Sequence, residues 1–297
     1  MPTGSIAVPR SPSLRTPTEA AMSELPRALG LLAEPPGPET ARVAELLDLP
    51  AVPEGWQYSA LFLEQLYPYA SVYLDASGMM GGEARDLIAG FWRALGDSPG
   101  PEPDHLSALL GAYAMLTDFE LAESEGARQE ALRGAREAFL WDHLLSWLPA
   151  WLFKIESIAP PAYRAWGRIL GEWLETEAAT LGPRRALPAH FGVALPMAEN
   201  PDDADTFLTQ VLAPARTGFI ITPTDLSAIA DDAGLVLRAG ERRYGLRNLL
   251  GQDANLTFRG LADLADRQPV WPGPIGDHWR ARARRTAALL RRLTDEV

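Results

Sequence analysis

The chain has 297 residues, of which 47% are hydrophobic, and it contains no cysteine. A chain of this length can bury a large core, whereas disulfide frameworks, thiolate zinc sites, cysteine-bound iron–sulfur clusters and cysteine nucleophiles are excluded. The net charge of −12 is uneven, because residues 1–180 hold 12 Lys+Arg against 25 Asp+Glu while residues 181–297 hold 15 against 14.

Residues 1–22 are predicted to form a disordered N-terminal tail. They are rich in scattered Pro, Ser and Thr and have no hydrophobic periodicity. They also lack an apolar run long enough for a secretory signal or a membrane anchor. We therefore expect no stable insertion into a membrane.

Four segments between the tail and residue 181 have the apolar spacing of amphipathic helices, and they cover residues 83–95, 103–116, 127–155 and 161–181. Gly96 and Gly182 follow two of them in the position of a C-terminal cap. Pro149 lies inside the third segment, where it removes a backbone donor and crowds the Leu145 carbonyl, so we expect a kink or a break there. The pattern predicts an all-α fold built as a single helical bundle.

The composition changes near Pro183. Residues 183–205 are rich in Pro, Ala and acidic residues and predict a linker or surface loop. A short helix at 207–212 should end at Pro214, and Thr222 to Asp225 has the form of a capping box at the start of another helix. Residues 235–246 fit either a small hairpin or an irregular turn, and a last helix is expected at about 277–294. The segment from 186 to 297 therefore reads as a mostly helical C-terminal extension of a body at 23–185.

The quartet Pro103-Asp104-His105-Leu106 stands at a predicted helix start. Proline at the first helical position and an acidic residue in the first turn both suit a helix N-terminus. That account leaves His105 unexplained, because the helix dipole disfavours a charged imidazole there. A neutral histidine beside a carboxylate can offer both a donor and an acceptor to a peptide.

A glycine-rich loop precedes the helix at 83–95 and reads Gly78-Met-Met-Gly81-Gly82-Glu83. A helix N-terminus can hold an anion, but the loop lacks the pattern of a phosphate-binding loop, and the only lysine of the chain is Lys154. Glycines that permit a tight turn and a close approach of backbone are the favoured interpretation.

Other chemistries have weaker support in the sequence. The pairs Asp104-His105 and Asp142-His143 could supply metal ligands to a helical hydrolase, but they lack the usual i, i+3 or i+4 spacing. The arginines at 238–247, together with a helix at 222–234, could belong to a DNA-binding regulator. A net charge of only +1 over residues 181–297 speaks against it. Of the nine tryptophans, most are expected in the core, while one or two, such as Trp92, could line an apolar groove that suits a basic and hydrophobic peptide.

Four pieces of the chain, in order, resemble the TorD-like family of redox-enzyme maturation chaperones, which includes the DmsD and NarJ types. The pieces are QYSALFLEQLYPYASVYLDASG, MGGEARDLIAGFWRALG, PDHL and FLWDHLLSWLPAWL, and the resemblance covers about residues 56–180. It implies a helical cytoplasmic chaperone, monomeric or homodimeric, with no catalytic residues, metal or other cofactor of its own. The implied partner is the catalytic subunit of a molybdoenzyme or its twin-arginine signal peptide, and no nucleic acid.

The resemblance also implies a peptide-binding site. The family's Pro-Asp-His signature falls on Pro103, Asp104 and His105, which implies a role in signal-peptide recognition or its structural support. The adjoining groove would include Trp92, and the loop residues Gly81, Gly82 and Glu83. The family's usual body is shorter than this chain, so the resemblance assigns no role to residues 186–297.

Overall fold

The structure is a computed structural model that describes residues 17–96, 98–184, 186–268 and 271–296. Within these residues the chain forms sixteen α-helices and two π-helical turns, at Ser59–Leu63 and Leu140–Leu144, and no strand, so the all-α expectation is confirmed. The helices of the body are α1 Pro17–Leu31, α2 Pro38–Leu46, α3 Gly55–Tyr58, α4 Ala70–Leu74, α5 Gly82–Ala94, α6 Leu106–Ala122, α7 Gly126–Phe139, α8 Leu148–Ile158 and α9 Pro161–Leu181. Those of the C-terminal extension are α10 His190–Val193, α11 Ala204–Val211, α12 Pro214–Thr217, α13 Pro223–Ala233, α14 Arg242–Gln252, α15 Ala254–Asp266 and α16 Pro274–Glu296.

Helix α1 occupies part of the predicted N-terminal tail. It begins at Pro17, although the tail was expected to reach residue 22, and residues 1–16 lie outside the described part of the chain. The helix packs along α6, where Gly30 brings its backbone close to that of Ser107. The indole N–H of Trp166 donates to the Leu29 carbonyl at 3.1 Å, which ties α1 to α9 as well.

Pro149 interrupts the long third segment as expected. The helix passes into the π-helical turn Leu140–Leu144, leaves helical geometry, and restarts as α8 with Pro149 in its first turn, where the missing N–H costs nothing. Helix α9 has the predicted bounds, and Gly182 follows it with a φ of 90°. Gly96 likewise follows α5 with positive φ, at 82°.

Aromatic side chains fill the core of the body. Phe62 stacks on Trp151 at 5.9 Å between ring centroids, and Tyr73 stacks on Trp147 at 5.2 Å. Trp147, Trp151 and Trp166 are fully buried, which confirms the expectation that most of these tryptophans are core residues. Aromatic pairs in such arrangements stabilise a core beyond the burial of their area.

The extension has its own hydrophobic core. Most of its buried side chains come from α11 and from α13 to α16, and they include Phe207, Leu226, Leu246, Leu261 and Leu290. The capping box at Thr222 is confirmed, because its hydroxyl accepts from the Asp225 N–H at 3.1 Å while the Asp225 carboxylate accepts from the Thr222 N–H at 2.7 Å.

Two expectations for the extension need correction. Residues 235–246 form neither a hairpin nor a turn alone, because helix α14 begins at Arg242. Gly245 lies inside that helix, where the absence of a side chain brings α14 close to Leu226 and Leu237. The loop predicted at 183–205 is present, but it contains the short helix α10.

The extension is packed on the body through polar and steric contacts. Lys154 of α8 is 3% exposed, and its ammonium group bonds both oxygens of Asp225 of α13, at 2.7 and 2.8 Å. The indole N–H of Trp279 donates to the Ser146 carbonyl at 2.9 Å. Within the residues described, none of the helices is both long and apolar enough to span a membrane.

Candidate functional site

The quartet forms the N-terminal boundary of α6, but not with the predicted residues. The helix begins at Leu106, so Pro103 and Asp104 precede it and His105 is its N-cap. The Nδ1 atom of His105 accepts from the Ser107 N–H at 3.3 Å and lies 2.8 Å from the Ser107 hydroxyl. The predicted placement of Pro103 at the first helical position is therefore wrong, and His105 has a structural role that the sequence pattern did not assign to it.

Asp104 is buried, and its carboxylate accepts a hydrogen bond from a serine 33 residues earlier in the chain. The Ser71 hydroxyl donates to Oδ2 of Asp104 at 2.5 Å, and the Ser71 N–H lies 3.4 Å from the same oxygen. The backbone of the quartet also pairs with the start of α4, through Ala70 N–H to the Asp104 carbonyl at 2.9 Å. This long-range pairing explains why Asp104 stands before the helix and not in its first turn.

The same serine connects the quartet to the glycine loop. The Gly81 N–H donates to the Ser71 hydroxyl oxygen at 3.0 Å, so one hydroxyl bridges Asp104 and the loop. Gly82 has a φ of 70°, and a Cβ atom there would lie 2.3 Å from the Asp75 carboxylate. A tight turn and a close approach, the favoured interpretation of these glycines, are both confirmed.

The remaining predicted site residues lie on α5. Glu83 is exposed in the first turn, where its charge faces the positive end of the helix dipole. Trp92 is half-buried against the body core, and its indole N–H has no hydrogen-bond partner within the described residues. The structure thus links Asp104 and Gly81 through Ser71, places Pro103 and His105 on either side of Asp104 in the chain, and leaves Trp92 and Glu83 on α5.

Two carboxylates that the sequence patterns did not indicate lie beside His105. Its Nδ1 atom is 3.4 Å from Oε1 of Glu34, and its ring meets Tyr69 edge-on at 4.8 Å between centroids. Burial raises the pKa of Tyr69, and a hydrogen bond to Glu102 raises it further. The pKa of Tyr58 is likewise raised, by burial first and then by the charges of Glu34 and Glu102. We call Glu34 and Glu102 the acidic rim of the quartet.

His105 is held in its neutral form. Burial lowers the pKa of its imidazole, and the negative charges of Glu34, Glu102 and Asp104 only partly offset that effect. The expectation of a neutral histidine beside a carboxylate agrees with this direction. His105 is nevertheless only 5% exposed, so its ring offers almost no surface for direct contact with a partner.

A groove with a volume of about 730 Å³ lies on the other side of the glycine loop. Its first wall belongs to the body and is apolar and exposed, with Leu63, Tyr67, Met79 and Met80. Its second wall belongs to the C-terminal extension and includes Leu212, Pro223, Glu241 and Arg242. No local sequence pattern indicated this groove, because its walls come from segments more than a hundred residues apart.

The structure gives little support to the two alternatives, a metal-dependent hydrolase and a DNA-binding regulator. Within the described ranges no group of three or more His, Asp or Glu side chains is arranged to hold a metal ion. Asp104 binds Ser71, and Asp142 pairs with Arg184. The C-terminal arginines have internal partners as well, since Arg243 and Arg247 pair with Asp205, and Arg242 donates to the Ile221 carbonyl at 2.8 Å.

Comparison with known proteins finds a family match for part of this chain. Residues 11–152 match the nitrate reductase delta subunit family, a family of TorD-like chaperones for redox-enzyme maturation. The match contains the quartet, the glycine loop and the acidic rim, and it confirms the resemblance inferred from the sequence. The family consists of chaperones for the assembly of molybdoenzymes and not of catalysts. No curated protein matches the chain.

Proposed function

We propose that this chain, whose residues 11–152 match the nitrate reductase delta subunit family, is a TorD-like redox-enzyme maturation chaperone that serves one molybdenum-containing oxidoreductase. It would bind the signal peptide or N-terminal region of the catalytic subunit in the cytoplasm and hold the apoenzyme until its cofactor is inserted. The observation that carries this proposal is that the family match covers every residue of the quartet network. The chain itself would contribute binding and no catalysis.

The acidic rim supplies the charge that such a client requires. Glu102 is exposed, and Glu34 keeps 43% of its side chain accessible. An arginine guanidinium forms bidentate, charge-assisted hydrogen bonds with a carboxylate, so a client segment that is basic at one end fits this rim. Exposed charges of this kind mainly raise the association rate and set orientation, and salt weakens them.

Asp104 has a different role in this proposal. Its side chain is 2% exposed, and its carboxylate accepts from Ser71, which in turn receives the Gly81 N–H. A direct bond between Asp104 and a client arginine would require this buried carboxylate to become exposed. We therefore assign Asp104 as a positioning residue that holds the glycine loop, with Trp92, Gly82 and Glu83 forming the edge of the same surface.

The function is tested in the native host by deletion of the gene. The molybdenum content and activity of each host molybdoenzyme are measured, and one of them is expected to lose both, with recovery when the wild-type gene is restored. If every host molybdoenzyme keeps its molybdenum content in the deletion strain, the proposal is wrong.

The roles of the residues are tested by calorimetry with the N-terminal peptide of the affected enzyme. Glu102→Gln should weaken binding several-fold and reduce its salt dependence, while Glu175→Gln, the same change at an exposed position on α9, should not. Asp104→Asn discriminates its two roles. If Asp104 is a positioning residue, the substitution should weaken the binding of peptides with and without arginines alike. If Asp104 contacts the client directly, the substitution should weaken the binding of the arginine-containing peptide only.

A further inference from the structure

We propose that the groove between the body and the C-terminal extension binds the apolar stretch of the same client segment, so that the extension completes the docking site. This inference rests on the proposed function, because it extends the quartet surface to a second contact for one peptide. It also assigns a role to residues 186–297, which the family match does not cover.

The body wall of the groove exposes large apolar side chains to solvent. Leu63 is 53% exposed, Met79 68% and Met80 58%, and Tyr67 lies beside them at 36%. Contiguous exposed apolar surface of this kind marks binding sites in soluble proteins. Methionine side chains are flexible and polarisable, so this wall can adapt to different apolar side chains of a client.

The extension wall gives the groove its depth. Leu212 of the segment between α11 and α12 and Pro223 at the start of α13 face the methionines across a volume of about 730 Å³. That volume lies within the range of roughly 300–1,000 Å³ that is typical of ligand pockets and is large enough for several side chains. Without the extension, Leu63, Met79 and Met80 would lie on an open surface.

The charges at the groove favour a cationic occupant. Glu64 and Glu241 line it, are exposed, and have no ion pair within the part of the chain that the structure describes. The two arginines of the lining are already engaged, since Arg243 pairs with Asp205 at 3.1 Å and Arg242 is held inward on the Ile221 carbonyl. The exposed charges of the lining that have no ion pair are therefore the carboxylates of Glu64 and Glu241, and they suit an apolar peptide flanked by basic residues.

One loop connects the groove to the quartet. Residues 77–82 carry Met79 and Met80 to the groove, and Gly81 of the same loop donates to Ser71, whose hydroxyl donates to Asp104. On its other side Gly78 approaches the backbone of Ala213 so closely that a Cβ atom would lie 2.8 Å away. A peptide with its basic end at Glu102 could thus place its apolar part along this loop in the groove.

The experiment uses the full chain and a synthetic probe peptide in which two adjacent arginines precede a leucine-rich stretch. Leu63→Ala is compared with Leu46→Ala, because Leu46 is also an exposed leucine at a helix end but lies outside the groove. We expect Leu63→Ala and Met80→Ala each to weaken binding about five- to tenfold and Leu46→Ala to leave it unchanged. A photo-reactive group in the leucine-rich stretch should label Met79 or Met80, and the same group beside the arginines should not.

Two outcomes would overturn the inference while leaving the proposed function in place. In one, the peptide binds the wild type, but Leu63→Ala and Met80→Ala bind it as tightly and the photo-reactive label falls elsewhere. In the other, sedimentation shows a dimer that Leu63→Ala converts to a monomer, so a second copy of the chain covers the groove. If the wild type binds neither this probe nor the N-terminal peptide of a host molybdoenzyme, the inference and peptide binding by this chaperone both fail.

Discussion

Replacing Lys154 by Met removes the one lysine of the chain and leaves its buried partner in place. The ammonium group bonds both oxygens of Asp225, and the lysine side chain is 3% exposed against 14% for the aspartate. Methionine keeps most of the aliphatic volume, so the loss of packing is small and the electrostatic effect is isolated. The change acts at the junction of α8 and α13, where the extension meets the body.

The expected magnitude follows from the geometry. Removing one partner of a buried pair costs about 3–5 kcal/mol, because the other charge stays desolvated. Asp225 retains bonds from the Thr222 N–H and hydroxyl, both at 2.7 Å, and it keeps slight contact with solvent. We therefore expect a loss of about 3 kcal/mol, at the lower end of that range. A second change, Asp225→Asn, should recover part of it, since a neutral amide tolerates burial better than an unpaired carboxylate.

Urea unfolding followed by circular dichroism measures this loss, and hydrogen exchange locates it. Amides of α13 to α15 should exchange faster in Lys154→Met, while those of α1 and α6 change less. Arg168→Met is the matched control, because Arg168 pairs with Glu156 at 2.5 Å on the surface and its loss should leave stability nearly unchanged. If Lys154→Met is no less stable than Arg168→Met, the junction does not depend on the buried pair.

Two further predictions concern pH and backbone geometry. Burial lowers the pKa of His143 to about 3 and those of His190 and His278 to about 4, and the neighbouring Arg184 and Arg282 add to the effect. These histidines are neutral when folded, so below pH 6.5 the unfolded chain binds more protons, and the stabilising contribution present above pH 6.5 is lost as the pH falls toward 4. The free energy of unfolding in urea should be lower at pH 5 than at pH 7, by on the order of 1–2 kcal/mol for each of His143 and His190, and His190→Leu should reduce this difference. Equal free energies of unfolding at the two pH values would contradict the prediction. Gly78→Ala should lower the melting temperature more than Gly182→Ala, because both positions have positive φ but only at Gly78 does a Cβ meet backbone, and equal shifts would mean that the loop yields without cost.

Local chemistry made several elements predictable from the sequence. The capping box at Thr222 and the break before Pro149 depend on groups within a few residues of each other, and both are present. Helix α9 was predicted to its ends, since its apolar stripe is regular and Gly182 follows it directly. For these segments propensity, periodicity and packing all favour the same structure.

The elements that the sequence predicted wrongly depend on residues that are distant in the chain. Asp104 was expected in the first turn of α6, but its carboxylate binds Ser71 and the N-cap passes to His105. Helix α14 was missed because Gly240 and Gly245 suggest a turn, whereas Gly245 is buried where it packs against Leu226 and Leu237. Within the candidate site, Glu34, Glu102 and the extension wall of the groove lie far apart in sequence, and only the fold brings them together.

The loop between α4 and α5 is where contacts from the quartet and from the C-terminal extension meet. Asp104 holds one side of it through Ser71 and Gly81, and the extension holds the other through Arg216, whose Nε donates to the Ala76 carbonyl at 2.7 Å. A change in either contact would displace Met79 and Met80, which lie between them in the loop. Under the proposed function, Asp104 would therefore not need to touch a client in order to affect its binding, because the position of the loop would transmit the effect.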